Sequence, residues 1–151
     1  MIYSQVGNEI EIKDIGDFDP VKIFECGQCF RWNMQKDGSY LGVAMNRVAR
    51  LRQDGDTVYI TSTIEDFENI WRSYFDLDRD YAAIRKGLCI DEYMKKASDF
   101  GAGIRILRQD KWEALCSFII SQCNNIPRIK KIIESLCRLC GEKISDGENE
   151  Y

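Results

Sequence analysis

Near Thr61 the spacing of apolar residues changes from every second position to every third or fourth, and this restricts the possible folds more than any other feature. Before the change, Glu9-Ile10-Glu11-Ile12-Lys13 alternates as a half-buried strand does. Asp19-Pro20 offers an N-cap and an N1 proline for a short helical turn that runs through Phe24 and closes near Gly27. Strand-like runs follow at residues 30–35, 40–53 and 57–61, separated by Lys36-Asp37-Gly38 and Asp54-Gly55-Asp56. These predict an antiparallel meander with a polar outer face.

After the change, Thr63-Ile64-Glu65-Asp66 opens a helix whose apolar stripe is Phe67, Ile70, Trp71, Tyr74 and Phe75. Shorter helices are expected at residues 79–86 and 91–100, with Gly101 and Gly103 stopping the second. Asp110 caps a helix carrying Trp112, Leu115, Phe118 and Ile119. The last helix follows Pro127, with Ile129, Ile132, Ile133, Leu136, Cys137 and Cys140 expected inward and Gly141 as its stop. Strands first and helices afterwards make an α+β chain rather than a series of βαβ units. The expected division is an antiparallel sheet with short helices over residues 1–100, the start of a helical domain over 101–144, and a linker or ragged end over 145–151.

Several chemistries are excluded or constrained. The chain has no histidine, which removes Ser-His and Cys-His nucleophile pairs, imidazole ligands and an imidazole base. No apolar run approaches 18 residues and no secretory leader opens the chain, so a cytoplasmic, non-membrane protein is expected. The seven cysteines are then expected as reduced thiols. The net charge is −4, yet residues 101–144 hold eight basic side chains against four acidic ones. Arg105, Arg108, Lys111, Arg128, Lys130, Lys131, Arg138 and Lys143 therefore make the C-terminal third the expected approach for a polyanion.

Two segments concentrate polar and glycine chemistry. In Cys26-Gly27-Gln28-Cys29-Phe30-Arg31-Trp32, Gly27 either ends the short helix or lets a ligand reach bare backbone. In Ser117-Phe118-Ile119-Ile120-Ser121-Gln122-Cys123-Asn124-Asn125-Ile126-Pro127-Arg128-Ile129-Lys130-Lys131, an apolar helix meets a polar turn and a second helix with basic residues in its first turns. That is either an asparagine-capped corner with a solvated basic face, or a helix N-terminus aimed at phosphate with Asn and Arg near base edges. A third pattern, Cys26-x-x-Cys29 with Cys137-x-x-Cys140, formally spells a Cys₄ zinc site. Its two halves are too widely separated for a zinc ribbon, and the second lies on a helix stripe, so no metal or other cofactor is expected.

Taken together, "CGQCFRW", Gly42-Val43 and "ILRQDKWEALCSFIISQCNNIPRIKKIIESLCRLCG" resemble the 8-oxoguanine DNA glycosylases of the helix-hairpin-helix superfamily, in order and spacing. The resemblance implies a sheet domain followed by the first helices of an all-α glycosylase domain. It implies the N-terminal part of a bifunctional glycosylase/AP lyase that excises 8-oxoguanine in base excision repair, with duplex DNA and a C-terminal helix-hairpin-helix portion as partners and a monomeric state. By the same resemblance Gly27 tests the flipped base, and Cys123, Asn124, Asn125 and Arg128 face the opposite base and DNA. Lys130 and Lys131 are expected at phosphates. Cys123 departs from a run of three asparagines. The catalytic lysine and aspartate would lie beyond Tyr151, so no catalytic residue is assigned and the chain alone is expected to be inactive. The alternative is a non-catalytic DNA-binding module or a zinc-stabilised interaction domain.

Overall fold

A computed structural model describes residues 1–145 and 151. Six strands form one antiparallel sheet: β1 (Ile2–Val6), β2 (Glu9–Lys13), β3 (Trp32–Met34), β4 (Tyr40–Ala44), β5 (Arg47–Asp54) and β6 (Thr57–Thr61), in the order β1-β2-β6-β5-β4-β3. Register places Ile10 opposite Ile60, Ile60 opposite Leu51, and Leu51 opposite Tyr40, so one buried row crosses four strands. The other face is polar. There Arg52 bonds Glu9 and lies over the Tyr59 ring at 3.7 Å.

The run expected as one strand over residues 40–53 is two. Met45 and Asn46 take φ of 52° and 57°, and Ala44 pairs with Arg47 across the turn they make. A two-residue hairpin needs this left-handed pair, and its usual glycine is absent here, which hid the turn.

Helix α1 (Pro20–Glu25) begins as its sequence demands, with the Asp19 carboxylate accepting from the amides of Val21 and Lys22. It covers the buried sheet face together with α2 (Ile64–Asp66), a π-helical turn at Phe67–Trp71 and α3 (Arg72–Tyr74). The extra residue of a π turn shifts the stripe, and Phe67, Trp71, Tyr74 and Phe75 all reach the core. Phe24 stacks on Trp32 at 4.4 Å, and the indole N–H of Trp32 donates to the Tyr74 hydroxyl at 2.9 Å.

Helices α4 (Tyr81–Leu88) and α5 (Glu92–Phe100) lead to an irregular stretch at residues 101–110, then to α6 (Lys111–Ser121) and α7 (Ile126–Cys140). Leu107 belongs to the sheet core, so packing continues across the 100/101 boundary. A small second core holds Phe30, Ile129 and Ile133, with Ile120, Ile126 and Cys137 at its margin. On α7 the inward expectation holds for Ile129, Ile133 and Cys137 only; Ile132, Leu136 and Cys140 are exposed. No element among the described residues buries that flank; α7 packs mainly on α6 and on the Phe30 loop. Of the tail, residues 146–150 lie outside the described residues; Ile144 and Tyr151 exchange backbone hydrogen bonds of 3.0 and 2.8 Å.

Candidate nucleic-acid interface

The loop after α1 is built around one glycine. Cys26 is the C-cap, and Gly27 follows with φ of +86°, the left-handed turn that ends a helix. Its carbonyl accepts no hydrogen bond from the described residues. Gln28 then ties the loop down. Its Nε2 donates to the carbonyls of Ile23 (2.9 Å) and Arg105 (2.8 Å), while its Oε1 accepts from the Leu107 amide (3.0 Å). Gln109 Nε2 donates to the Gln28 carbonyl at 2.6 Å. Cys29 is buried, and burial pushes its thiol up to about 12.

The α6–α7 corner is equally defined. Cys123 takes φ of 50° and is exposed. Asn124 spends both ends of its amide inside the turn, Nδ2 on the Ile120 carbonyl (3.1 Å) and Oδ1 on the Asn125 amide (3.0 Å). Asn125 is the N-cap of α7, its Oδ1 accepting from the Arg128 amide at 3.1 Å. The capped-corner reading is therefore right as local structure. It leaves Asn125 Nδ2 and the Arg128 guanidinium outward, without partners among the described residues.

These two segments, remote in sequence, meet. A Cβ on Gly27 would stand 3.7 Å from Ile126 Cδ1, at the first turn of α7. Phe30, from the same loop, fills the second core with Ile129 and Ile133. Lys130 reinforces the junction, its Nζ lying 3.1 Å from the Trp32 carbonyl and 3.4 Å from the Glu25 carboxylate. The Gly27 loop and the first turn of α7, which carries the Asn125 cap and the exposed Arg128, are thus neighbours.

The basic surface is narrower than the charge count suggested. Arg105 is 2% exposed, donating to the carbonyls of Asp17 (2.6 Å), Ile15 (2.9 Å) and Asp76 (2.9 Å) above the Tyr81 ring. It cannot meet a polyanion, a correction whose cause is the set of buried carbonyls that needs its donors. Arg108 pairs with buried Asp76 at 2.6 Å, and Arg138 with Glu134. Lys111, Arg128 and Lys131 remain exposed and outside any ion pair among the described residues. No group of three or more Cys, Asp or Glu among those residues is arranged to hold a metal, so the two CxxC pairs do not converge.

On α6 the apolar side chains face outward: Trp112 is 72% exposed and Phe118 63%. A groove of about 440 Å³ beside them is lined by Arg31, Glu113, Cys116, Leu136 and Cys140 among others. It lies next to the junction, and neither Gly27 nor the 123–128 corner lines it. No described helix is long and apolar enough to cross a membrane.

Comparison with known proteins sets this geometry in context. The family described as "8-oxoguanine DNA glycosylase, N-terminal domain" matches residues 11–115. The N-glycosylase/DNA lyase of Saccharomyces cerevisiae is 29% identical, over 82% of this chain and 36% of its own length. The N-glycosylase/DNA lyase OGG1 of Arabidopsis thaliana is also 29% identical, over 77% and 34%. Among solved structures, MBOgg1 in complex with a low-affinity DNA ligand superposes with a TM-score of 0.94 at 48% identity, over 100% of this chain and 53% of its own. The Clostridium acetobutylicum 8-oxoguanine glycosylase/lyase, in complex with duplex DNA containing cytosine opposite 8-oxoguanine, gives 0.95 at 42%, over 100% and 52%. The chain thus spans about half the length of these solved structures and about a third of the curated relatives.

Proposed function

The chain belongs to the 8-oxoguanine DNA glycosylase family, and from that premise we propose that it forms part of the lesion-reading surface of an enzyme that excises 8-oxoguanine from duplex DNA. The observation that carries the reading is the approach of the Gly27 loop to Ile126 at the first turn of α7, with a Gly27 carbonyl that accepts no hydrogen bond from the described residues. In this reading the target nucleotide leaves the stack, and the Gly27 carbonyl faces N7 of the extruded base. Oxidation at C8 makes N7 an N–H donor, whereas in guanine the same atom is an acceptor. A fixed carbonyl attracts the first and repels the second, and a buried mismatch of this kind costs about 1–3 kcal/mol.

Arg128 and Asn125 face the base left behind in the duplex. The guanidinium offers donors that suit the acceptor edge of an unpaired cytosine. Cys123, at the position of the expected first asparagine, brings a thiol, a weak hydrogen bonder. Asn124 keeps one amide N–H and one oxygen lone pair beyond those that hold the turn, and they are what it could offer in that place. Discrimination of the opposite base in this reading rests mainly on Asn125 and Arg128. Lys131 is placed to meet a phosphate near the α7 N-terminus, whereas Lys130 holds α7 against α1 and β3. The nucleophilic lysine, which would form a Schiff base at C1′ and permit β-elimination, and the aspartate that supports it belong to the half of the enzyme beyond this chain.

In an intact glycosylase carrying this segment, Arg128→Ala is expected to lower the preference for cytosine over adenine opposite the lesion by about tenfold, in line with the loss of a charge-assisted two-point contact. Single-turnover base release from the two duplexes measures it. An unchanged ratio removes Arg128 from the opposite-base reader. The 151-residue chain by itself is expected to give no base release and no borohydride-trapped adduct.

A further inference from the structure

We infer that Gln28 is a positioning residue for base discrimination: it holds the Gly27 peptide so that its carbonyl cannot turn away from a mismatched N7. The inference rests on the reading of Gly27 above and adds a residue that no motif argument singled out. A glycine carbonyl is a poor discriminator if it is free to move, because Gly27 lacks the Cβ that would restrict its backbone. Faced with the N7 lone pair of guanine, a loose peptide would swing aside and the repulsion would vanish. Discrimination needs the oxygen to stay where it is.

The peptide between Gly27 and Gln28 is held from its C-terminal side at four points. Three are made by the Gln28 carboxamide, on the carbonyls of Ile23 and Arg105 and the amide of Leu107. The fourth is the 2.6 Å bond from Gln109 to the Gln28 carbonyl. The anchors are themselves fixed. Ile23 is buried in α1, and Leu107 lies in the sheet core. The buried guanidinium of Arg105 is held by three carbonyls.

The set of bonds asks for one residue type. Two carbonyls need donors and one amide needs an acceptor at the end of a side chain of this length. Glutamine supplies both functions. Glutamate would turn two oxygens toward two carbonyls, and lysine has no acceptor for Leu107.

The test uses an intact glycosylase carrying this segment, and the ratio of single-turnover release of 8-oxoguanine to that of guanine from matched duplexes. Gln28→Met keeps the side-chain length and removes the hydrogen bonds; Gln109→Ala removes the remaining tether and leaves the Gln28 side chain intact. Loss of folded enzyme lowers both rates equally and leaves the ratio unmoved, so a purely structural role is distinguishable. Gln28→Met is expected to lower the ratio by about tenfold and Gln109→Ala by a smaller factor, through faster release of guanine. A ratio equal to the wild type's in both variants, at whatever absolute rate, overturns the proposal. A parallel arm compares binding of wild type to guanine and 7-deazaguanine duplexes, the latter lacking the N7 lone pair. Stronger binding of 7-deazaguanine supports a repelling carbonyl. Equal binding means that the Gly27 reading itself has failed, whatever the Gln28 variants do.

Discussion

Gly42 leaves the space that the Trp32 indole fills. Strand pairing sets Trp32, Gly42 and Ala49 in one row, and the two small residues make room for the indole. A Cβ on Gly42 would overlap the Trp32 ring. Gly42→Ala is therefore expected to cost about 1–3 kcal/mol, the usual penalty for overpacking a well-filled core. Urea unfolding should show it as a lower midpoint at unchanged slope; an unchanged midpoint would mean that the ring can move aside. In the sequence Gly42 stood out only as part of a Gly-Val pair, because a glycine in a strand does not announce which ring will lie over it. Arg105 was hidden in the opposite way. It counted as one more positive charge in the C-terminal third, whereas the carbonyls of Ile15, Asp17 and Asp76 that absorb it are remote in sequence. Gln28 escaped notice for the same reason, since Arg105 and Leu107, two of its three side-chain partners, come from a remote stretch with no helix or strand of its own.

Helix α7 owes its start to Asn125, and this lets capping be separated from recognition. Asn125→Asp keeps an acceptor for the Arg128 amide and puts a carboxylate at the positive end of the helix, so stability should stay within about 0.5 kcal/mol of wild type. Asn125→Ala loses the cap and should cost about 1 kcal/mol. Thermal unfolding of the two variants checks this; equal losses would mean that the cap contributes nothing.

Helix α6 brings a pH-dependent element. Burial raises the Glu113 carboxyl above its ordinary 4.5, and Arg31 at 3.6 Å opposes the rise. A carboxyl raised in the folded state contributes fully below its ordinary value and loses that contribution as pH climbs through the raised one. Glu113→Gln should therefore gain melting temperature relative to wild type between pH 4 and pH 7. A relative gain that shrinks over that range would show Arg31 outweighing burial.

The period change near Thr61, the caps at Asp19, Thr63, Asp110 and the asparagine-capped corner, and the turns at Gly38 and Gly55 were all legible, because each is encoded within a few residues. The Met45-Asn46 hairpin and the partly exposed stripe of α7 were not, since the first lacks its marker and the second depends on neighbours rather than period.

Across the whole molecule, two cores of unequal size meet at the loop that carries Gly27. The large one locks α1 and the aromatic helix to the sheet. The small one seats α7 on Phe30 and so joins two motifs that sequence alone only set in order. Large apolar side chains of α6 and α7 stay outside both cores, and the solved structures that this chain matches are about twice its length. The central claim is that the Gly27 loop and the 123–131 corner act as one DNA-facing surface. An NMR titration of the 151-residue chain with a short duplex containing 8-oxoguanine opposite cytosine, at low salt, tests it most directly. Amide shifts should concentrate at Gly27, Gln28 and residues 123–131, and Arg128→Ala should weaken them. Shifts confined to the polar face of the sheet, or a corner that stays still while the duplex binds, would contradict it.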